Sequence, residues 1–445
     1  MTGAAPMPVT ATDLTIVAGP AGTALPRLFA GPAAGPDPQA ALADHLRLHG
    51  PVPPHLDPDR VLVEITASGL AGRGGARFPT GRKLAAVRAA PGGPAVIVGN
   101  GAEGEPASRK DAAILWHAPH LVLDGLQVAA AACGAGTAVL AIHGGRSGLR
   151  WHLEAAIAAR QAAGLDRRPA VVRETPPRFL AGEETALTGF LDGGPAVPAF
   201  KQYRVFERGV GDRPTLVQNV ETLAHVALIA RHGAGWFRAA GTDTEPGTLL
   251  CTATQADGST RVVETQAGVP IGELVRLGDG VQAVLAGGYH GGWLTETDAR
   301  ALRFSDSDLR PAGAFTGAGV LAGLPASACG LAETANVARY LALESAGQCG
   351  PCLNGLPRIA AALSALARPG PAASDLADVQ RWAGLIGGRG ACHHPDGTVR
   401  FVATALHVFA AEIAAHAHGR CRAGRRAPTA FLPVPAAPLT EYDWR

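Results

Sequence analysis

The sequence predicts an α/β protein in three successive units: a domain on a parallel sheet, a small unit of strands around one helix, and a bundle of four helices. Three observations predict it. From residue 60 onward, short apolar runs alternate with helical stretches, the pattern of strands joined by helical crossovers. After residue 247 the texture changes to closely spaced strands and turns. From about residue 309 to 418 it becomes mainly helical, with apolar residues at helical spacing.

Residues 1–59 are rich in Pro, Ala and Gly and form an N-terminal arm, with one short helix at 40–49. The first domain, 60–244, takes strands at 95–98 (AVIV), 138–142 and 170–172, with helical stretches at 112–115, 121–132 and 149–161 between them. The second unit, 245–305, runs strand 248–254, turn Asp257-Gly258, strand 259–264, helix 271–277 and strand 283–286 before Gly287-Gly288. Two strands, a helix and a further strand describe a ubiquitin-like β-grasp module. Helices at 332–343, 358–366, 376–386 and 403–416 form the bundle of the third unit, 309–420, and 421–445 is a tail.

At 445 residues, 47% hydrophobic, the chain has ample material for several cores. Its net charge of +2 and 17% charged residues argue against a nucleic-acid surface, which needs a clustered basic face. The longest apolar run, 121–142, is interrupted by Asp124, Gln127, Gly134 and Gly136 and reads as helix, turn and strand, not a membrane span. The N-terminus lacks a basic and apolar leader, so a cytoplasmic location is expected. Seven cysteines in such a chain point to thiols or metal ligands before a disulfide framework.

The chemistry centres on SGLAGRGGARFPTGRK, Ser68 to Lys83, with Gly69, Gly72, Gly74, Gly75 and Gly81 punctuated by Arg73, Arg77, Arg82 and Lys83. Glycine backbone can approach a ligand closely, and successive N–H groups make a concave anion site. Residues 83–88 have helical composition, so the loop opens a helix whose N-terminus adds its positive end. A phosphate-bearing cofactor is expected. The loop has neither the G-x-G-x-x-G spacing nor a Gly-Lys-Ser/Thr. A second loop, 99–111 (GNGAEGEPASRKD), follows the strand at 95–98 and so faces the same crevice at the carboxyl ends of the strands.

GRGGARFPTGRK resembles the flavin loop in the family of FMN-binding subunits of respiratory NADH:quinone oxidoreductase (complex I), which includes the diaphorase subunits of NAD-linked hydrogenases and formate dehydrogenases. Three further strings match in order: Asn100, Glu103, Glu105, Pro106, Lys110 and Asp111 in the second loop, then FLAGEETAL at 179–187, then RPTLVQNVETL at 213–223. The resemblance implies FMN held at its phosphate by Gly72, Gly74, Gly75, Lys83, Asn219 and Thr222, with Arg73 also among the cofactor-binding residues. It implies Asn100 and Glu103 at the flavin, and Gly182, Glu183 and Glu184 beside the nicotinamide, with Glu103, Glu183 and Glu184 as the catalytic acids. The family also carries a β-grasp module after the flavin domain. Ala102 stands where the family has Asp, and Phe179 where it has Tyr.

Cys349 and Cys352 form a C-x-x-C, and Cys392 follows GGRGA. The resemblance implies that these three bind one iron–sulfur cluster, but the family's first cysteine is Ala346. A [4Fe–4S] cluster with a foreign ligand, a [3Fe–4S] cluster, or none remain open, since a cubane takes four cysteines. His393, His394 and Cys329 are the candidate replacements, and Cys133, Cys251 and Cys421 read as apolar or idle thiols. For the dinucleotide, Phe78 and Lys201 match the family, whereas Ala86 and Arg204 replace two of its aromatics and Arg77 a glycine. These arginines either admit the 2′-phosphate of NADPH, fill the pocket, or pair with Glu103, Glu105 or Glu207. The activity expected is an NADH dehydrogenase-like diaphorase, passing electrons from NADH or NADPH through FMN to an iron–sulfur centre or an iron–sulfur partner protein, ferredoxin-like or a small diaphorase subunit. The rival readings are FMN–ferredoxin exchange without NAD(H), and a structural protein with no redox role.

Overall fold

The computed structural model describes residues 14–16, 25–33, 35, 37–53, 55–145, 147–200, 203–278, 280–423, 430–435 and 444. Its strands, numbered along the chain, are β1 (Leu14–Ile16), β2 (Val96–Gly101), β3 (Thr137–His143), β4 (Val171–Thr175), β5 (Thr215–Asn219), β6 (Thr248–Thr254), β7 (Thr260–Gln266), β8 (Val281–Ala286), β9 (Gly292–Thr295) and β10 (Val320–Pro325).

Four of them make a parallel sheet in the order β4-β3-β2-β5. The central strand is buried on both sides, with Val96, Ile97 and Val98 all at 0% exposure, as a strand covered on both faces demands. Ile97 joins the core under helices Pro119–Cys133 and Val220–Arg238, whereas Val96 and Val98 pack with Leu187, Val205 and Val217 on the other face. Gly125 lets the two helices touch, because a Cβ there would lie 2.0 Å from the Leu223 carbonyl oxygen. Strand β5 is not among the strands expected from sequence. It holds only Leu216 and Val217 as apolar residues and runs straight into a helix.

The other six strands form a mixed sheet in the order β1-β7-β6-β10-β8-β9. Strands β6, β7 and β8 fall where the sequence places them, whereas β1, β9 and β10 are additional. β10 lies inside the stretch read as helical and pairs parallel to β6 and antiparallel to β8. Its Gly323 and Pro325 weaken the strand signal in isolation. β1 adds the N-terminal arm to the edge of β7. The arm is further held by buried Glu264, whose carboxylate accepts the N–H groups of Arg27, Leu28 and Phe29 at 3.0–3.3 Å.

Helices Gly330–Leu343, Leu356–Leu366, Ala373–Ile386 and His394–Val408 pack together around Leu341, Ile359, Leu363, Val379 and Phe401. The expected helix at 403–416 begins earlier, at His394, and breaks into a second helix, Ala410–Ala417, with a 71° bend. The C-terminal segment returns to this core through Glu333, which accepts the N–H groups of Phe431 and Leu432. Among the described residues no single helix is long and apolar enough to cross a membrane.

Candidate flavin and iron–sulfur sites

Parallel pairing of β2 with β5 sets Asn100 opposite Asn219 at the carboxyl ends of both strands. Asn219 caps helix Val220–Arg238 by accepting the Glu221 N–H, and its Nδ2 donates to Asp111 Oδ2 at 2.8 Å. The glycine loop lies against it: a Cβ on Gly74 would sit 3.4 Å from the Asn219 Cβ. Gly72 N–H donates to the Phe78 carbonyl at 2.9 Å and closes the loop, and Gly75 takes a φ of 101°, which favours glycine. From helix Thr80–Ala89, which the loop opens as expected, Lys83 Nζ donates to the Val217 carbonyl (2.8 Å) and to Glu184 Oε2 (3.2 Å). Asn100 Nδ2 donates to the Gly182 carbonyl at 2.8 Å. Gly182 and Gly104 are places where two loops touch backbone to backbone. A Cβ on Gly182 would lie 2.6 Å from the Ala102 oxygen, and one on Gly104 would lie 2.5 Å from the Phe179 oxygen. Gly72, Gly74, Gly75, Lys83, Asn100, Gly182, Glu184 and Asn219 thus gather around one crevice.

Other expected residues stand elsewhere or act differently. The Arg73 guanidinium is buried, donating to the carbonyls of Thr248 (2.9 Å) and Pro246 (3.3 Å) with Glu221 at 3.8 Å. Burial, then the nearby Arg77, lowers its pKa to about 10. It ties the loop to β6. Thr222, fully buried, accepts the Arg73 N–H at 2.8 Å and so shapes the loop from beneath. Glu103 binds Ser108 Oγ (2.7 Å) and the N–H groups of Asp111 (3.0 Å) and Ala112 (3.3 Å), which caps helix Lys110–His117. Glu183 caps helix Glu184–Leu191 through the N–H groups of Thr185 and Ala186. Acids just ahead of apolar helices meet unpaired N–H groups there, whereas Glu184 pairs across the crevice with Lys83. Beneath the loop, Lys110 bridges Asp111 (2.6 Å) and Glu221 (2.9 Å), and burial raises the Asp111 carboxyl to about 6.

Phe78 stands half-exposed at the end of the glycine loop, with Arg82 5.8 Å from its ring centre. Arg77 pairs with Glu245 (2.6 Å) and Asp306 (3.5 Å) and donates to Thr316, not with Glu103, Glu105 or Glu207. Arg204 is exposed, and its backbone N–H binds Glu207 Oε2. Lys201 lies outside the described residues. Two exposed rings nearby are not flagged by the sequence patterns. Ala199 N–H donates to Thr185 Oγ1 beside Glu184, which brings Phe200 (81% exposed) close to the crevice, whereas Tyr203 (48%) lies under Arg208, 4.3 Å from its ring centre. A cavity of about 300 Å³ between helix Pro38–His49 and residues 117–121 shares no residue with this crevice.

The crevice connects directly to the cysteine loop. Glu344 Oε2 accepts the Phe179 N–H (2.7 Å) and pairs with buried Arg178 (3.2 Å), so the strand-to-helix loop carrying Gly182 to Glu184 is fastened to the residue that opens ESAGQCGPC. Cys352 is buried in a π-turn at Pro351–Gly355, and Cys349 and Cys392 are half-buried. Burial raises the Cys352 thiol, Ser345 counters this, and Cys349 and Cys392 are close enough to raise it further. The candidate replacements for the missing fourth ligand fare poorly. Both ring nitrogens of His394 are engaged, with His290 Nε2 (2.9 Å) and the Leu341 carbonyl (2.8 Å). His393 is 96% exposed and faces Asp396. Cys329 lies instead with Glu412, His416 and Cys421; Cys421 is therefore not an isolated thiol.

The family profile described as the Nuo51 FMN-binding domain matches residues 65–228, and that described as the NADH-ubiquinone oxidoreductase-F iron-sulfur binding region matches residues 327–416. One of two F subunits of NADH-quinone oxidoreductase in Rhizobium meliloti (strain 1021), the one numbered 2, is 31% identical over 380 residues, covering 82% of this chain and 90% of that protein. The chain belongs to the family of NADH-quinone oxidoreductase F subunits. Another family member, from Streptomyces coelicolor (strain ATCC BAA-471 / A3(2) / M145), is 28% identical, covering 82% of this chain and 84% of its own. Among solved structures, an NAD+-reducing [NiFe]-hydrogenase in the air-oxidised state superposes with a TM-score of 0.75 at 29% identity, covering 81% of this chain. An NAD+-reducing [NiFe]-hydrogenase in the H2-reduced state gives 0.74 at 28%. This chain spans 63% of the length of those hydrogenase chains. The family membership agrees with the expectation from the glycine loop and its three companion strings.

Proposed function

We propose that this chain is the flavin-bearing component of an NADH oxidoreductase, taking electrons from NADH through FMN to an iron–sulfur centre and on to an iron–sulfur partner protein. The observation that carries the reading is the meeting of a Cβ-free loop, the Lys83–Glu184 pair and Asn219 at the carboxyl edge of a parallel sheet. The residues fit the group. A side chain on Gly74 would close the space before Asn219, and Lys83, one-fifth exposed, presents the cation a phosphate monoester needs. FMN, when bound, supplies the chemistry that turns a two-electron hydride transfer into single-electron steps.

In this reading Gly72, Gly74, Gly75 and Lys83 cradle the phosphate and Asn219 closes the cradle. Arg73 and Thr222 hold the loop in shape from below. Asn100 and Gly182 set the backbone edge beside the ring, and Glu184 faces the nicotinamide side. Phe78, with the exposed ring of Phe200, offers the platform for an adenine. Arg77 is engaged by Glu245 and Asp306, which argues for NADH over NADPH, because a 2′-phosphate would have to displace two carboxylates. Cys349, Cys352 and Cys392 would hold the cluster, with no histidine ligand. We read the mixed sheet as an elaborated β-grasp module and the helices after residue 330 as the cluster-bearing bundle. A cytoplasmic location follows from the same reading.

The test is an anaerobic stopped-flow experiment on protein reconstituted with FMN and iron. NADH should bleach the flavin absorbance at least ~10-fold faster than NADPH at equal concentration. A chain that binds FMN and is bleached by neither nucleotide refutes the assignment and leaves the ferredoxin alternative.

A further inference from the structure

Away from both sites, four side chains converge that neither the flavin nor the cluster reading uses. Cys329 is the residue just before helix Gly330–Leu343. Glu412 and His416 lie one turn apart on helix Ala410–Ala417, and Cys421 follows that helix. Their ligand atoms, two sulfurs, a carboxylate oxygen and an imidazole nitrogen, all lie within 4.8 Å of one another. Cys329, Glu412 and His416 are buried, and Cys421 half-buried.

We propose that Cys329, Glu412, His416 and Cys421 form a mononuclear, four-coordinate site for a divalent zinc-like cation, distinct from the iron–sulfur site. The spacing supports one ion at the centre. With metal–sulfur bonds of about 2.3 Å and metal–nitrogen or –oxygen bonds of about 2.0–2.1 Å, the edges of a tetrahedron are roughly 3.4–3.8 Å. Here Cys329 Sγ stands 3.7 Å from His416 Nε2 and 3.9 Å from Glu412 Oε1, while Glu412 Oε1 and His416 Nε2 are 3.0 Å apart. The two sulfur separations are close to those edges and the carboxylate–imidazole one is shorter; thiol hydrogen bonds reach the same distances, and what points to an ion is the convergence of all four ligand atoms.

The surroundings are built as a metal's outer partners are. His416 Nδ1 faces the Leu366 carbonyl at 3.3 Å, which directs Nε2 to the site. The Arg422 N–H donates to Glu412 Oε1 at 2.9 Å and steadies the carboxylate. The first residue of the helix that follows Cys329 packs against the bend at Phe409, since a Cβ on Gly330 would lie 2.2 Å from the Phe409 ring. Two thiolates, one carboxylate and one imidazole make a closed set with no open position, which marks a structural and not a catalytic site. Its consequence is a staple between the start of the first bundle helix and the end of the last.

The experiment uses the full-length protein, purified anaerobically and stripped with a chelator, then titrated with Co(II) alone. A first equivalent should produce the visible ligand-field bands of tetrahedral thiolate cobalt, and one equivalent of Zn(II) should bleach them. The bands should persist in the C349S/C352S variant and vanish in C329S/C421S and in H416Q, with FMN content unchanged in the last two. Chelation should lower the melting temperature of the wild type and leave that of C329S/C421S unmoved. No tetrahedral bands in the wild type, bands lost with C349S/C352S instead, or a Cys329–Cys421 disulfide in a non-reducing peptide map would overturn the proposal. If C329S/C421S fails to fold, the pair C349S/C352S and H416Q still separates the two thiolate sites.

Discussion

Gly182→Ala probes the crevice without changing its charge. A methyl group at this position would lie 2.6 Å from the Ala102 carbonyl oxygen, and the two loops would have to part by 0.8 Å to restore ordinary contact at 3.4 Å. Gly182 does not have positive φ, so alanine meets only the steric barrier. The free protein can relieve the clash by letting the loops separate, whereas in the proposed reading a bound flavin requires Asn100 and the Gly182 carbonyl to stay joined, now at 2.8 Å. The strain therefore falls on binding. Overpacking of this kind costs about 1–3 kcal/mol, which weakens FMN affinity about 5- to 150-fold. Titration of the apoprotein by quenching of FMN fluorescence reads this directly. Gly235→Ala is the control, because it lies in helix Val220–Arg238 with nothing within 4 Å of the added methyl. It should bind FMN like the wild type and be no less stable. An unchanged Kd in G182A, or an equal loss in G235A, would refute the reasoning.

Glu105 predicts a pH dependence. Burial raises its carboxyl from 4.5 to about 7, against the N–H groups of Tyr289 and Ala107, which oppose the rise. The folded chain thus keeps a proton that the unfolded chain releases, so this contribution to stability falls as pH rises from about 4.5 to about 7 and is flat above. Melting temperatures across that window should show the slope, and E105Q should flatten it. Arg77→Ala should lower stability by about 1–3 kcal/mol, because Glu245 and Asp306 lose their common cation. Arg77 sits at φ 49°, so R77G should be the milder variant by roughly 1 kcal/mol. Neither variant should change the ratio of NADH to NADPH turnover by more than about 3-fold; a larger shift would mean that Arg77 touches the nucleotide. Glu264→Ala should release the N-terminal arm by unpairing the N–H groups of Arg27, Leu28 and Phe29. Limited proteolysis should then cut near these residues while the rest of the chain stays resistant.

What can be read from the chain alone is whatever depends on local order. The strands at 95–98 and 138–142 are continuous apolar runs, and a parallel strand buried on both faces announces itself that way. The glycine loop and the strings at 100–111, 179–187 and 213–223 are contiguous, so their residues are legible as a group, and the cysteine trio likewise. The short strands β1, β5, β9 and β10 are not, because their stability comes from neighbours supplied by distant parts of the chain. β10 is the clearest instance: residues with Gly323 and Pro325 among them become a strand only between β6 and β8.

By itself, then, the sequence determined the parallel α/β core and which residues are chemically able to serve a phosphate or iron. The tertiary structure decided which partners each of them takes within the chain. Charge and hydrogen-bonding type are properties of a residue, but partnership is a property of position. Glu103 and Glu183 are acids whose helices claim them as caps, and Arg73 and Arg77 are cations claimed by buried oxygens. Cys421, unremarkable in sequence, acquires three possible co-ligands only when helix Ala410–Ala417 bends back on the start of the bundle. Burial makes each of these partnerships decisive, because away from water an unpaired charge or N–H is costly enough to dictate where its side chain turns.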